Sequence, residues 1–242
     1  MLNFIQTEFI KLKSSRLFLL SNIIVFLIPL LFVGIFLIAN IPRPQFSDLF
    51  QTVFQSLYSP LSIILFAVIG TYLFVKEYDE HTLKLIFTVP ISKKKFLAGK
   101  ILTFLIWVLI LSIVLFISTI IFGFIGGISG LSLEVILTGL ETFIGGSILV
   151  FLTMTPFIFI GLISKSIVPA AIGSAILFIL TGTIGQAFKW AHLIPWMIPS
   201  DIISGIADKL YGMEISSLIL IATFIIGIVL SWIYLEKTDV QL

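Results

Sequence analysis

Apolar runs as long as a lipid bilayer is thick constrain this chain more than any other feature. A helix needs about 20 mainly apolar residues to cross the hydrocarbon core. Leu17–Ala39 and Ile101–Phe124 both meet that length, and comparable runs recur almost to the C-terminal end. No water-facing surface can be made from what remains. Of the 242 residues, 59% are hydrophobic and only 11% charged, against about 25% charged in an ordinary soluble domain. The expected fold class is all-α: a polytopic membrane protein forming a single transmembrane domain.

Six spans fit the pattern, at about 17–39, 60–75, 101–124, 141–163, 167–184 and 216–235. Ser59-Pro60 reads as a cap followed by proline at the first helical position. The first run is too long for the apolar core of a cleavable signal peptide, about 7–15 residues, and no small-residue cleavage site follows it. It is read as a retained span. Lys and Arg collect in cytoplasmic loops. Alternate loops divide the 14 basic residues eleven to three, which predicts a multi-pass protein with both termini in the cytoplasm. A five-span arrangement survives only if 167–184 fails to cross.

The loops differ in character. Residues 1–16 carry Leu2, Ile5, Phe9 and Leu12 at helical spacing, with Glu8, Lys11, Lys13 and Arg16 off that stripe. An amphipathic helix lying in the cytoplasmic interface is expected, with those four polar residues facing that side. Residues 40–59 open on Ile41-Pro42-Arg43-Pro44, which cannot be helical. Phe46, Leu49, Phe50, Val53, Phe54 and Leu57 then form a helical stripe, read as a short helix on the outer membrane surface. Residues 125–140, with Gly126, Gly127 and Gly130, read as a short turn. Segment 185–215 is too apolar for a solvated loop and too broken to span, with Pro195 and Pro199 interrupting it. Re-entrant half-helices from the outer face satisfy both facts, provided protein shields their backbone; a flat interfacial helix is the other arrangement. Trp190, Pro195, Trp196 and Pro199 are its outer gate candidates.

Catalytic and metal chemistry finds little support. There are no cysteines, so thiolate sites and disulfides are excluded. Gly99-Lys100 resembles the end of a nucleotide-binding loop, but Ile101 stands where Ser or Thr is required. Glu77-x-x-Glu80-His81 lacks the spacing of a zinc-binding helix, and His192 has no clustered ligands. Glu141, at the start of the fourth predicted span, is either an intramembrane ionisable group or an interface residue. No catalytic, cofactor or metal residue is therefore assigned. The net charge of +2 gives no reason to expect a nucleic-acid partner.

The strongest local feature is 76–100, KEYDEHTLKLIFTVPISKKKFLAGK, between the second and third spans. Glu77, Asp79 and Glu80 suit a helix N-terminus. Leu83, Ile86 and Phe87 make an apolar face, and Pro90 ends the helix. Ser92 can cap the next one, which places Lys93, Lys94 and Lys95 in a first turn where cations oppose the helix dipole. Anionic headgroups or an acidic partner would outweigh that cost.

At this loop the sequence resembles a type-2 ABC exporter (ABC-2) permease. The residues that carry the resemblance are Glu77, Thr82, Leu85, Pro90-Ile91-Ser92, Phe96 and Lys100, in that order. The amphipathic N-terminus, the six-span layout and the broken outer segment support it. The small size is similar to permeases of bacitracin and lantibiotic self-protection systems and to exporters of phenol-soluble modulin peptides. The resemblance implies a bacterial plasma membrane location. It also implies two separate ABC ATPase subunits, which would hold ATP and Mg2+, and a second permease chain, identical or not, with lipid around the pair. It makes the 76–100 loop the coupling segment, with Glu77, Asp79, Thr82, Leu83, Ile86, Phe87 and Pro90 meeting the ATPase. The expected cargo is an amphipathic or hydrophobic peptide, exported as a toxin or for antimicrobial-peptide resistance. A lipid, polysaccharide or drug exporter of the same superfamily, a membrane anchor that recruits a cytoplasmic protein, and a membrane-bound enzyme are the competing readings.

Overall fold

The computed structural model describes residues 2–39, 42–56, 61–79 and 92–237. Eleven α-helices of these residues are α1 (Leu2–Lys13), α2 (Arg16–Ile38), α3 (Phe46–Ser56), α4 (Ser62–Asp79), α5 (Lys93–Ile125), α6 (Leu133–Thr153), α7 (Thr155–Ser164), α8 (Val168–Ala187), α9 (Ile198–Ile203), α10 (Ile206–Leu210) and α11 (Met213–Lys237). A 3-10 turn occupies Lys189–Leu193. No β-strand occurs among the described residues. Four helices, α2, α5, α6 and α11, are long and apolar enough to cross a membrane by themselves.

The bundle has two ends. Lys93 donates to the Glu236 carbonyl at 3.3 Å, and the Lys94 ammonium lies 4.5 Å from the centre of the Trp232 ring. The end of α11 therefore meets the start of α5. Helix α1 packs on the same part of α5, so both described termini share one end, called here the basic end. The turn at 126–132 lies at the other, far end. Between the two ends the described chain passes six times, through α2, α3 with α4, α5, α6 with α7, α8, and α11. Much of the surface is apolar: Leu31 is 66% exposed and Ile226 56% exposed. In lipid that surface carries no hydrophobic penalty, and the helices must associate through close packing.

Caps explain several helix ends. Ser92 Oγ accepts from the Lys95 amide at 3.3 Å, so α5 starts where the sequence places a cap, eight residues before the predicted span. Ser132 caps α6 in the same way. Helix α6 therefore begins inside the predicted loop 125–140, and only 126–132 is turn. The fourth pass breaks at Met154, where Pro156 opens α7 and cannot continue the α6 ladder.

Helix α3 departs from the expected surface position. Phe46, Leu49, Phe50, Val53 and Phe54 are buried. Phe50 stacks on Phe116 and meets Phe143 edge-on. Phe143 lies about 15 Å along α6 at 1.5 Å per residue, so α3 descends into the bundle. Three glycines receive it. A Cβ at Gly123 would overlap the Phe46 ring, one at Gly146 would overlap Phe54, and one at Gly139 would stand 2.9 Å from Phe50. Phenylalanines spaced by four residues thus enter glycine notches on two neighbouring helices. The expected stripe is present, and it packs against protein.

The segment between α8 and α11 folds back against the bundle. Trp196 packs on Phe157 of α7 with ring centres 5.6 Å apart, far below the end of α8. Three short pieces, the 3-10 turn, α9 and α10, replace the two expected half-helices. Pro199 enters α9 in its first turn, and Gly205 at φ 69° separates α9 from α10, a conformation that glycine adopts without strain.

Candidate functional site

The basic end holds a closed ring of charge. Helix α5 carries Lys100 one turn after Phe96, near the start of an otherwise apolar pass. Its ammonium is 1% exposed as a residue and donates to Glu77 Oε1 at 2.6 Å and to Glu8 Oε2. Glu77 comes from the last turn of α4 and Glu8 from α1. The Lys11 ammonium joins the two carboxylates from the outside, 3.1 Å from Glu8 Oε1 and 3.4 Å from Glu77 Oε1. Two cations and two anions alternate, so the formal charges cancel.

An aromatic jacket surrounds the ring. The Phe96 ring lies 5.6 Å from the Lys100 ammonium, and Phe4 and Phe74 meet Phe96 edge-on. Phe4 also fills the space where a Gly99 Cβ would lie. Helix α1 is therefore turned so that Phe4, Glu8 and Leu12 face inward. The sequence reading placed Glu8 on the polar face at the cytoplasmic interface; the structure buries it because Lys100 supplies the countercharge. Lys11 stays partly exposed. Burial opposes its charge, but the Glu8 and Glu77 carboxylates outweigh that and hold the ammonium above its ordinary range.

Such a ring has mechanical consequences more than chemical ones. Removing one member of a buried pair leaves an uncompensated charge, whereas the intact set is satisfied. It therefore ties α1, α4 and α5 together at the two flanks of segment 80–91. Thr82, Leu83, Ile86, Phe87 and Pro90 lie outside the described residues, as does the Asp79 side chain. Lys13, Arg16, Lys94 and Lys95 are exposed at this end, and Lys93 is half-buried. Lys100 was expected only as part of the loop pattern. Its isolation among Ala98, Gly99, Ile101 and Leu102 was the available signal, and nothing in the sequence names its partners.

The outer gate candidates do not gather. Trp190 is 55% exposed and stacks on Phe188, while Trp196 points inward. Pro199 is buried and Pro195 half-buried. The segment is closed instead by His192 Nδ1 and Asp201 Oδ2, 2.9 Å apart, and by the Tyr211 hydroxyl donating to the Lys189 carbonyl at 2.8 Å. Burial raises the Asp201 carboxyl above its ordinary range, although His192 pulls it down. Glu141 is exposed on the third turn of α6.

Two comparisons with known proteins bear on this arrangement. Residues 4–182 match a family described as ABC-2 family transporter protein, a stretch that contains all four members of the ring. The chain is also 31% identical over 197 residues to the bacitracin transport permease protein BCRB of Bacillus licheniformis, which covers 81% of this chain and 94% of that protein.

Proposed function

This chain belongs to the ABC-2 family of transporter proteins, and from that premise we propose that it is the permease of an exporter that moves amphipathic peptides out of a bacterial cell or membrane. As an ABC-2 permease it is a transmembrane transport subunit, and the ATPase is a separate chain. In this reading ATP and Mg2+ are bound there, and two ATPase subunits serve two permease chains. The peptide cargo is supported by the similarity to a bacitracin transport permease and by the apolar, phenylalanine-rich passes.

The observation that carries the reading is the charge ring at the flanks of segment 80–91. A coupling segment must pass a push from the ATPase into the spans without bending away. Glu77 and Lys100 clamp its two flanks to each other, and Glu8 with Lys11 clamps them to α1. The basic end is then the cytoplasmic end. Leu83, Ile86 and Phe87 form the inserted apolar face, Asp79 and Thr82 border it, and Pro90 ends its helix. Lys13, Arg16, Lys93, Lys94 and Lys95 face anionic headgroups or the ATPase.

Inverted membrane vesicles containing the permease and its ATPase test this. They should accumulate a labelled amphipathic peptide on addition of ATP, and lose that uptake when the ATPase is inactivated. L83D, I86D and F87D should each lose ATPase co-purification or ATP-driven uptake while remaining inserted. Uptake of a lipid or drug probe with no peptide uptake would remove the peptide cargo. Normal coupling in all three variants would remove the coupling assignment.

A further inference from the structure

The far end contains a cavity that the charge ring does not touch. Its volume is about 440 Å3, and it lies between α3, α6 and α9. That suits a single side chain or chain terminus of a larger ligand, at the lower end of the usual range for ligand pockets, about 300–1,000 Å3. One wall is aromatic: Phe50 and Phe54 line it while their rings also fill the α6 glycine notches. The other walls are polar and in register. Helix α3 presents Ser47, Gln51 and Gln55, and α6 presents Glu134, Thr138 and Thr142. Both sets repeat every four residues, which defines one helix face. In a chain with 11% charged residues, two facing polar ladders are not what lipid contact or dry packing asks for.

The polarity of the lining has a sign. The Thr142 hydroxyl donates its hydrogen to the Thr138 carbonyl at 2.8 Å. On the α9 side, Ser200 donates to the Met197 carbonyl at 3.0 Å and Ser204 to the Asp201 carbonyl at 3.3 Å. These three hydroxyls therefore use their hydrogens within the chain and keep only acceptor lone pairs for a ligand. Glu134 adds a carboxylate, and it is the one charged residue of the lining. The Gln51 and Gln55 amides and the Glu134 carboxylate make no hydrogen bond among the described residues. The site carries acceptor oxygens and one negative charge above a floor of buried phenylalanines.

We propose that this cavity binds a primary ammonium or guanidinium group of an amphipathic molecule, such as the basic side chain or N-terminus of a cationic peptide. The cation sits between Glu134 and the hydroxyl oxygens. The adjoining apolar part lies against the half-buried Val135 and Ile203, which line the same cavity. The proposal rests on the peptide-export reading for its biological meaning, but binding can be measured without an ATPase.

The test uses the full chain in nanodiscs of zwitterionic phosphatidylcholine and a short fluorescent peptide of alternating Leu and Lys, with empty discs as the blank. The parent chain should bind this peptide above the blank and should not bind its Leu/Glu counterpart. E134Q should weaken binding roughly ten-fold through loss of a charge-assisted contact, with unchanged thermal unfolding. T138W should abolish binding by filling the cavity; Q51A/Q55A tests the opposite wall if T138W does not fold. Unchanged binding in E134Q, or equal binding of the Leu/Glu peptide, overturns the cationic ligand. Parental affinity in T138W, or in Q51A/Q55A where that variant replaces it, overturns the site. A chain that transports peptide but shows parental affinity in these wall variants loses this proposal alone. A chain that binds the peptide here but never transports it keeps the site and loses the export reading.

Discussion

Lys100 shows how much one residue can organise. Alone in a nearly apolar helix it would be a costly group, yet Glu8 and Glu77 each place a carboxylate oxygen within hydrogen-bonding reach of its ammonium. A buried ion pair that loses one partner costs on the order of 3–5 kcal/mol, because the remaining charge stays desolvated. K100M should therefore lower the unfolding midpoint markedly, and E8Q/E77Q/K100M should recover most of the loss, since the one charge it leaves, on Lys11, is partly exposed to solvent. An equal loss in the single and triple variants would mean that the side chains act through packing rather than charge. Before the structure, Glu8, Lys11, Glu77 and Lys100 were legible one at a time, as interface and loop residues. Their meeting was not, because 69 residues separate Glu8 from Glu77 and charge attraction leaves no periodic trace.

At the scale of elements, α3 is the instructive case. Its stripe of Phe46, Phe50 and Phe54 was visible at helical spacing, and an outer-surface helix was the natural expectation. What draws it inward is the absence of side chains at Gly123, Gly139 and Gly146. Nothing in the spacing of these glycines names the rings that reach them. Only the approach of the rings makes them notches. G146V should eject Phe54 and destabilise the protein by about 1–3 kcal/mol, the usual cost of overpacking. F54A should cost about 3–5 kcal/mol, and F54A/G146V should be less impaired than the two losses added together. Strict additivity in thermal unfolding would show that ring and glycine do not interact. The broken course of the chain before α11 was easier to foresee, because Pro195 and Pro199 interrupt an apolar stretch there.

For the whole molecule, two ends of different chemistry emerge. The basic end ties three helices together at the flanks of segment 80–91; the far end opens a polar cavity beside α3. The cysteine-free sequence makes sidedness simple to measure. In intact bacterial cells a membrane-impermeant maleimide should label R43C and D208C, whereas Q6C and K237C should react only after permeabilisation. Labelling of Q6C in intact cells would reverse the orientation and with it the placement of the ATPase.

Hydropathy and charge belong to each residue before any contact forms. That is why the sequence by itself determined that the chain lives in a membrane and which family its loop resembles. Capping at Ser92 was legible for the same local reason. Which way Glu8 turns, how deep α3 goes and which polar faces share a cavity depend on shapes brought together across the chain. Close packing in lipid rewards fit at distances of a few tenths of an ångström, and that fit exists only once helices far apart in sequence have met.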